Sequence, residues 1–266
     1  MKISNFGIPM SIDDRTLDLT VTGATYEDLK KKKRKDMAGL LYDPRTIEDG
    51  DGLAYSFYSI IILAKDKQLF EHYGYTNGVT ILQAGVINGE CIKNSGHFHI
   101  AAEGHRYPNT EVYEILFGKA VFLLQKSRNF MKHDEEIILD DCKMVFLSQG
   151  EKIIVPPFYA HCAVNVGEGP MVFGNLAAPC ELDYSPITAH HGFFTYVMKA
   201  AGELKFINNT HYKQVPACTK VKTAENLPLG IDFNRSLYEC FVANPDTFRY
   251  LDHPDDYLED LEKQFI

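Results

Sequence analysis

The residues best suited to chemistry lie in "GHFHIAAEGHRYPNTEVYEILFG", Gly96 to Gly118. His97 and His99 stand at i and i+2, and on a strand residues two apart point to the same side. Two imidazoles on one side form half of a divalent-metal site. Taken alone, such a pair is as readily two ordinary core or surface histidines. Two glutamates follow, Glu103 and Glu111, and either can supply a carboxylate. A second stretch, "GEKIIVPPFYAHCAVN", brings a third histidine, His161. Were these three imidazoles to meet with one carboxylate, they would leave positions open on an octahedral ion, and iron(II), manganese or nickel would suit that set, with zinc possible.

These side chains need a rigid frame. From about residue 56 to 178, short apolar runs alternate with turn signals at a spacing near ten residues, which points to a β-sandwich or barrel. "EVYEILFGKAVFLLQ" is expected to form a hairpin turning at Gly118-Lys119, with Glu111, Tyr113, Ile115 and Phe117 on one face. "SIIILA" (Ser59 to Ala64) and "EEIILD" (Glu135 to Asp140) are expected to be strands. Upstream, "TYEDLKKKKRKDMAGLLYD" is expected to be a helix capped by Thr25, with Asp28 near its positive end and Lys30 to Lys35 on a solvated face. Beyond Ala200 the pattern is mixed, with a helix start at Asn244-Pro245-Asp246 and a C-terminal helix from Asp255. The expected organisation is a mainly β unit over residues 1–200 with its core at 56–178. A segment over 201–266, packed on that unit, adds helices at the C-terminal end.

The whole chain sets bounds. With 266 residues and 45% hydrophobic content it can bury a substantial core. A net charge of −9 argues against general nucleic-acid binding, yet leaves room for an anionic substrate in one positive pocket. No apolar run reaches the ~20 residues of a membrane span. The start lacks the apolar core of a signal peptide, and the six scattered cysteines contain no CxxC. A cytoplasmic protein with reduced cysteines, without nucleic-acid or membrane partners, is expected.

The two histidine stretches together resemble the paired motifs of the cupin family. The first has a glycine, His97-x-His99, a glutamate and a glycine; the second has Gly150, Pro156, His161 and Asn165. The resemblance implies a jelly-roll barrel in which His97, His99, a glutamate and His161 hold one divalent ion. Two departures stand out. Glu111 lies twelve positions after His99, where the motif usually leaves three or four, and Phe158 stands where glycine is usual. Glu103 fits the short gap, but no glycine lies seven residues beyond it. Glu111 has Gly118 there and sits in a period-two run, so Glu111 is the preferred ligand, Glu103 the alternative, and "AAEGHRYPN" a loop insertion.

"GHFH", "EVYEILFGKAVFLLQ", "IIVPPFYAHCAVNVGEGPMVF" and "LDYSPITAHHGF" resemble more narrowly the cupin-type glucose-6-phosphate isomerases, from about Arg34 to Val197. That resemblance implies an aldose–ketose isomerase, with Glu111 as base and ligand and Tyr113 lining the pocket. Thr80, Asn94, Ser95 and Gly96 would face the phosphate and Tyr184 the sugar, and the assembly would be a homodimer. Asn94 replaces a usual threonine and Leu182 a usual histidine, which bears on the sugar contacts. Proton transfer and hydride shift are both open. So are another phosphosugar, a metal-dependent dioxygenase on the same barrel, or a sugar-phosphate binder without catalysis.

Overall fold

The computed structural model describes residues 1–224 and 229–266. Its centre is a pair of sheets. One has six strands in the order Lys152–Val155, Glu111–Phe117, Met171–Ala177, Thr76–Leu82, Leu53–Ser59 and Asp28–Lys33. The other has Tyr159–Asn165, Lys119–Lys126, Asp141–Ser148 and Thr219–Val221, the last joined in parallel. Between Glu111 and Ala177 the chain passes from one sheet to the other four times, the to-and-fro of a jelly roll.

This traffic corrects the expected hairpin. Glu111–Phe117 pairs with Lys152–Val155 and Met171–Ala177, while Lys119–Lys126 pairs with Asp141–Ser148 and Tyr159–Asn165. The two runs belong to different sheets, and Gly118 (φ 91°) makes the corner between them. A side chain there would meet the Pro170 carbonyl at 3.0 Å, so glycine is required on both counts. The shared face also ends early. A bulge between Ile115 and Phe117 leaves Tyr113 and Ile115 in the interior and sends Phe117 to the outer cluster.

The strands Glu111–Phe117, Met171–Ala177 and Thr76–Leu82 of the six-stranded sheet are buried on both faces. The sheet's inner side contributes Tyr113, Ile115 and Phe173 to the barrel core. Its outer side, with Tyr58, Val79, Ile81, Val112 and Leu176, is covered by Ile3, Phe6 and Ile8 and by Phe241, Phe248 and Tyr250 from the C-terminal segment. A sheet covered on both sides needs apolar residues at every position, which is why Val112 to Leu116 lacks a clean alternation of burial. Glu114 and Lys152 form an ion pair inside this region, 3.3 Å apart with both side chains at most 3% exposed. The other Glu114 oxygen accepts the Leu237 backbone N–H at 2.7 Å, fastening the helix Leu237–Ala243 to the barrel.

Four further expectations are corrected. Residues 25–43 are not a helix: Asp28–Lys33 is an edge strand on Leu53–Ser59, followed by a 3-10 turn at Arg34–Leu40. Pairing along a ready sheet edge outweighs the weak helix preference of a lysine run. "SIIILA" is no continuous strand, because Leu53–Ser59 ends where Ile60 takes φ 55°. Residues 135–140 form no strand, and their chain runs back to the barrel through Asp140 N–H to the Lys126 carbonyl. At the C-terminal end, Pro245–Leu251 and Pro254–Tyr257 are 3-10 turns and the helix begins at Leu258, while Leu237–Ala243 was not anticipated.

Candidate metal centre

His97 and His99 reach the barrel on a short segment held from two sides. His97 bridges His161 on Tyr159–Asn165, and Phe98–His99 pairs with Leu182–Asp183. The two rings stand on the same side, stacked at 5.3 Å, as their i, i+2 spacing requires. Glu111 opens its strand opposite Val155 and Ala177, and His161 is central in its own. Each of His97, His99, Glu111 and His161 thereby offers one ligand atom, and these atoms lie within 4.8 Å of one another. Glu103, in the loop after His99, is exposed and outside this group.

The contacts inside the cluster are specific. Glu111 Oε2 is 3.2 Å from His99 Nε2 and 3.4 Å from His161 Nε2. His99 Nδ1 lies 2.9 Å from the Asn109 carbonyl, to which it donates. That bond fixes Nδ1 as a protonated nitrogen and turns Nε2 to the cluster, so that Nε2 becomes a ligand atom once it gives up its proton. Tyr113 Oη lies 2.8 Å from His161 Nε2. On the carboxylate's other side, Asn175 Nδ2 donates to Glu111 Oε1 at 2.7 Å.

The electrostatics favour a cation. Burial holds His97 well below its ordinary value, helped by the fields of His161 and His99. Burial likewise lowers His161, although Glu111 opposes it. His99 differs: burial pulls it down, but hydrogen bonds to Cys180 and Glu111 outweigh that and raise it to about 10. Glu111 is buried, which alone would raise it, yet His161 and His99 hold it well below the usual carboxylate range. The phenol of Tyr113 is driven far up by burial and by Glu111, so it stays a neutral donor. An anionic carboxylate among three imidazoles is a donor set that fits a divalent ion.

The cluster opens into a cavity of about 730 Å³. Thr80, Asn94, Ser95, Gly96, Tyr113 and Tyr184 all line it. Ser95 Oγ lies 3.1 Å from Tyr55 Oη. The Asn94 side-chain oxygen accepts the Ala163 N–H at 2.8 Å, and its amide N–H groups remain as donors for a ligand. Gly96 takes φ 68°, and a side chain there would strike the Phe193 ring, so the backbone passes close beneath the cavity floor. The Tyr184 ring stands 5.3 Å from His97 at the mouth, 46% exposed. His190 and His191 lie outside this cavity; His190 bonds the Pro186 carbonyl and stacks on Tyr212. The six cysteines are free, and Cys180 lines the cavity beside His99.

Three lining features were not anticipated from the sequence. Lys30, Lys31 and Lys32 border the cavity from the edge strand instead of lying on a helix surface. Tyr55 adds a hydroxyl. Asn175 holds the carboxylate, and the one signal for it was a lone amide in the apolar run "MVFGNLAA".

Comparison with known proteins shows the family. The family model described as glucose-6-phosphate isomerase matches residues 31–214. The glucose-6-phosphate isomerase of Pyrococcus furiosus is 30% identical over 71% of this chain and 91% of that protein. That of Pyrococcus horikoshii is 29% identical over 70% and 90%. Oxalate oxidase bound to glycolate aligns structurally at TM-score 0.30 and 11% identity, over 63% of this chain and 58% of that one. At that score the likeness carries no argument, and the fold rests on the strand order above. No helix among the described residues is long and apolar enough to cross a membrane.

Proposed function

The chain belongs to the glucose-6-phosphate isomerase family, and we propose that it interconverts glucose 6-phosphate and fructose 6-phosphate using a divalent ion held by His97, His99, Glu111 and His161. The observation that carries this reading is the convergence of those four residues, with Tyr113 beside His161, where His97, His99 and Glu111 line a cavity large enough for a sugar phosphate. Iron(II), manganese or nickel suits the donor set best, with zinc possible. When bound, the ion supplies Lewis-acid charge at the sugar's O1 and O2.

The chain's own residues do the rest. Isomerisation moves a proton between C1 and C2 through a cis-enediol. Glu111 is the carboxylate at hand, and Asn175 holds one of its oxygens, so its orientation is set before substrate arrives. Its Oε1 retains a second lone pair for the proton. The Tyr113 phenol, neutral and beside His161, supplies an O–H donor where oxygen charge develops. Thr80, Ser95, the Asn94 amide and the Gly96 backbone form the phosphate end, and Lys32, which has no carboxylate in ion-pair range among the described residues while Lys30 and Lys31 face Asp28 and Asp18, adds positive charge to the cavity. Tyr184 faces the sugar from the mouth. A homodimer, implied by the family pattern, belongs to the same reading.

The test is turnover in deuterated water. Fructose 6-phosphate converted to glucose 6-phosphate with deuterium at C2 supports proton transfer through Glu111. Product carrying only protium would replace it with a hydride shift, and no product would overturn the substrate assignment.

A further inference from the structure

We propose that a second cavity, on the surface behind the metal centre, binds a phosphate-bearing ligand with a flat ring, of the nucleoside-phosphate class. This cavity, of about 480 Å³, is lined by Arg106, Tyr107, Lys126, Arg128, Phe158 and Leu261 among others, and shares no residue with the substrate cavity. Its size is that of a small-molecule site.

Two departures from the general cupin motif meet the C-terminal segment there. The long segment between His99 and Glu111 supplies Arg106 and Tyr107. Phe158 stands where the cupin motif usually has glycine. The helix Leu258–Glu262 comes from the C-terminal segment, beyond the 31–214 that match the family model. Substitution, insertion and extension are far apart in sequence, yet they build one wall system.

The chemistry of the walls is that of an aromatic anion site. Tyr107 and Phe158 meet edge to face at 5.8 Å, and the Arg106 guanidinium lies 5.4 Å from the Tyr107 ring centre. Lys126 is bound to Glu262 at 3.1 Å. Glu262 also lines the cavity and is taken up by Lys126, while neither Arg106 nor Arg128 has a carboxylate in ion-pair range among the described residues, so two of the three cations at the cavity are unpaired. Guanidiniums recognise phosphate, and aromatic faces recognise planar rings. Phe158 is held at φ 68°, a left-handed conformation that strains a bulky residue. Such strain is retained where the side chain has a use.

The walls also run into the metal centre. Two residues after Tyr107, the Asn109 carbonyl orients His99, and three residues after Phe158 comes His161. A ligand that shifts either wall therefore shifts a proposed metal ligand, and occupancy couples to metal affinity.

The experiment is isothermal titration of the full-length protein with ADP, adenosine and pyrophosphate, with saturating fructose 6-phosphate present so that the substrate cavity is filled. One ADP per chain is expected, weakened at least tenfold in an Arg106→Ala, Arg128→Ala double variant whose replaced side chains are exposed. Phe158→Gly, which relieves the strain and keeps the fold, is expected to weaken ADP several-fold. Adenosine and pyrophosphate are each expected to bind more weakly than ADP. Absence of ADP binding at millimolar concentration, or binding untouched by the double variant, would overturn the site. Pyrophosphate matching ADP would overturn the ring contact. Manganese affinity, measured by chelator competition with and without ADP, is expected to change, and an unchanged value would overturn the coupling.

Discussion

Asn175 Nδ2 donates to Glu111 Oε1 at 2.7 Å, while Oε2 of the same carboxylate faces His99 at 3.2 Å and His161 at 3.4 Å. One oxygen is thus held by a neutral amide and the other is turned to the imidazoles. Asn175 reaches Glu111 from the neighbouring strand, where Gly78 leaves room: a side chain at Gly78 would lie 2.9 Å from Asn175 Oδ1. The expected result of Asn175→Ala is a loss of about 10- to 100-fold in kcat, the range for partners that orient a ligand. Metal content should stay the same. Elemental analysis beside steady-state kinetics separates this from a general loss of structure.

Glu111 and Glu103 are distinguished by position. Glu111 is buried in the cluster and Glu103 is exposed in the loop. Glu111→Gln should lower turnover by about 10²- to 10⁴-fold, the range for a positioned general base. Glu103→Gln should leave it nearly intact. The opposite pattern would transfer the role to Glu103.

Metal uptake should depend on pH through His99. Hydrogen bonds to Cys180 and Glu111 raise this imidazole to about 10 against the pull of burial, so at neutral pH the metal-free site carries a proton there. A ligating imidazole is neutral, so binding releases that proton. Apparent metal affinity should therefore rise roughly tenfold per pH unit between pH 7 and 8. Competition against a chelator at the two values measures it, and a flat dependence would contradict the assignment.

The pair Lys152–Glu114 carries stability, not chemistry. Both charges are buried, and Glu114 also receives the Leu237 N–H. Lys152→Met strands the carboxylate and should cost about 3–5 kcal/mol. Burial already raises Glu114 against the pull of Lys152. Without the lysine its value rises further, and the ionised form is what the folded state disfavours. The loss in melting temperature should accordingly be larger at pH 8 than at pH 5.

What could be read from the sequence follows from how local each signal is. His97 and His99 were legible as a pair because strand geometry turns i and i+2 to one side, whereas their meeting with Glu111 and His161 was legible only through the cupin motifs the two stretches resemble. Barrel strands such as Thr76–Leu82 and Met171–Ala177 announce themselves as short apolar runs between turns. Asn175 was invisible because its partner is set by cross-strand register, which no local pattern encodes. The hairpin at Gly118 was misread because a tight turn and a passage between sheets share the same glycine. The lysine strand was misread because a free edge at Leu53–Ser59 decided its conformation. Phe117 left its expected face through a bulge that alternation alone does not signal.

The most direct measurement is titration of chelator-stripped protein with manganese, iron(II), nickel or zinc while glucose 6-phosphate production from fructose 6-phosphate is followed. The account predicts no turnover in the stripped protein and a linear rise that breaks at one ion per chain. The rise should be absent in His161→Ala. Full turnover in the stripped protein, or a folded and metal-loaded chain that never converts the sugar, would contradict it.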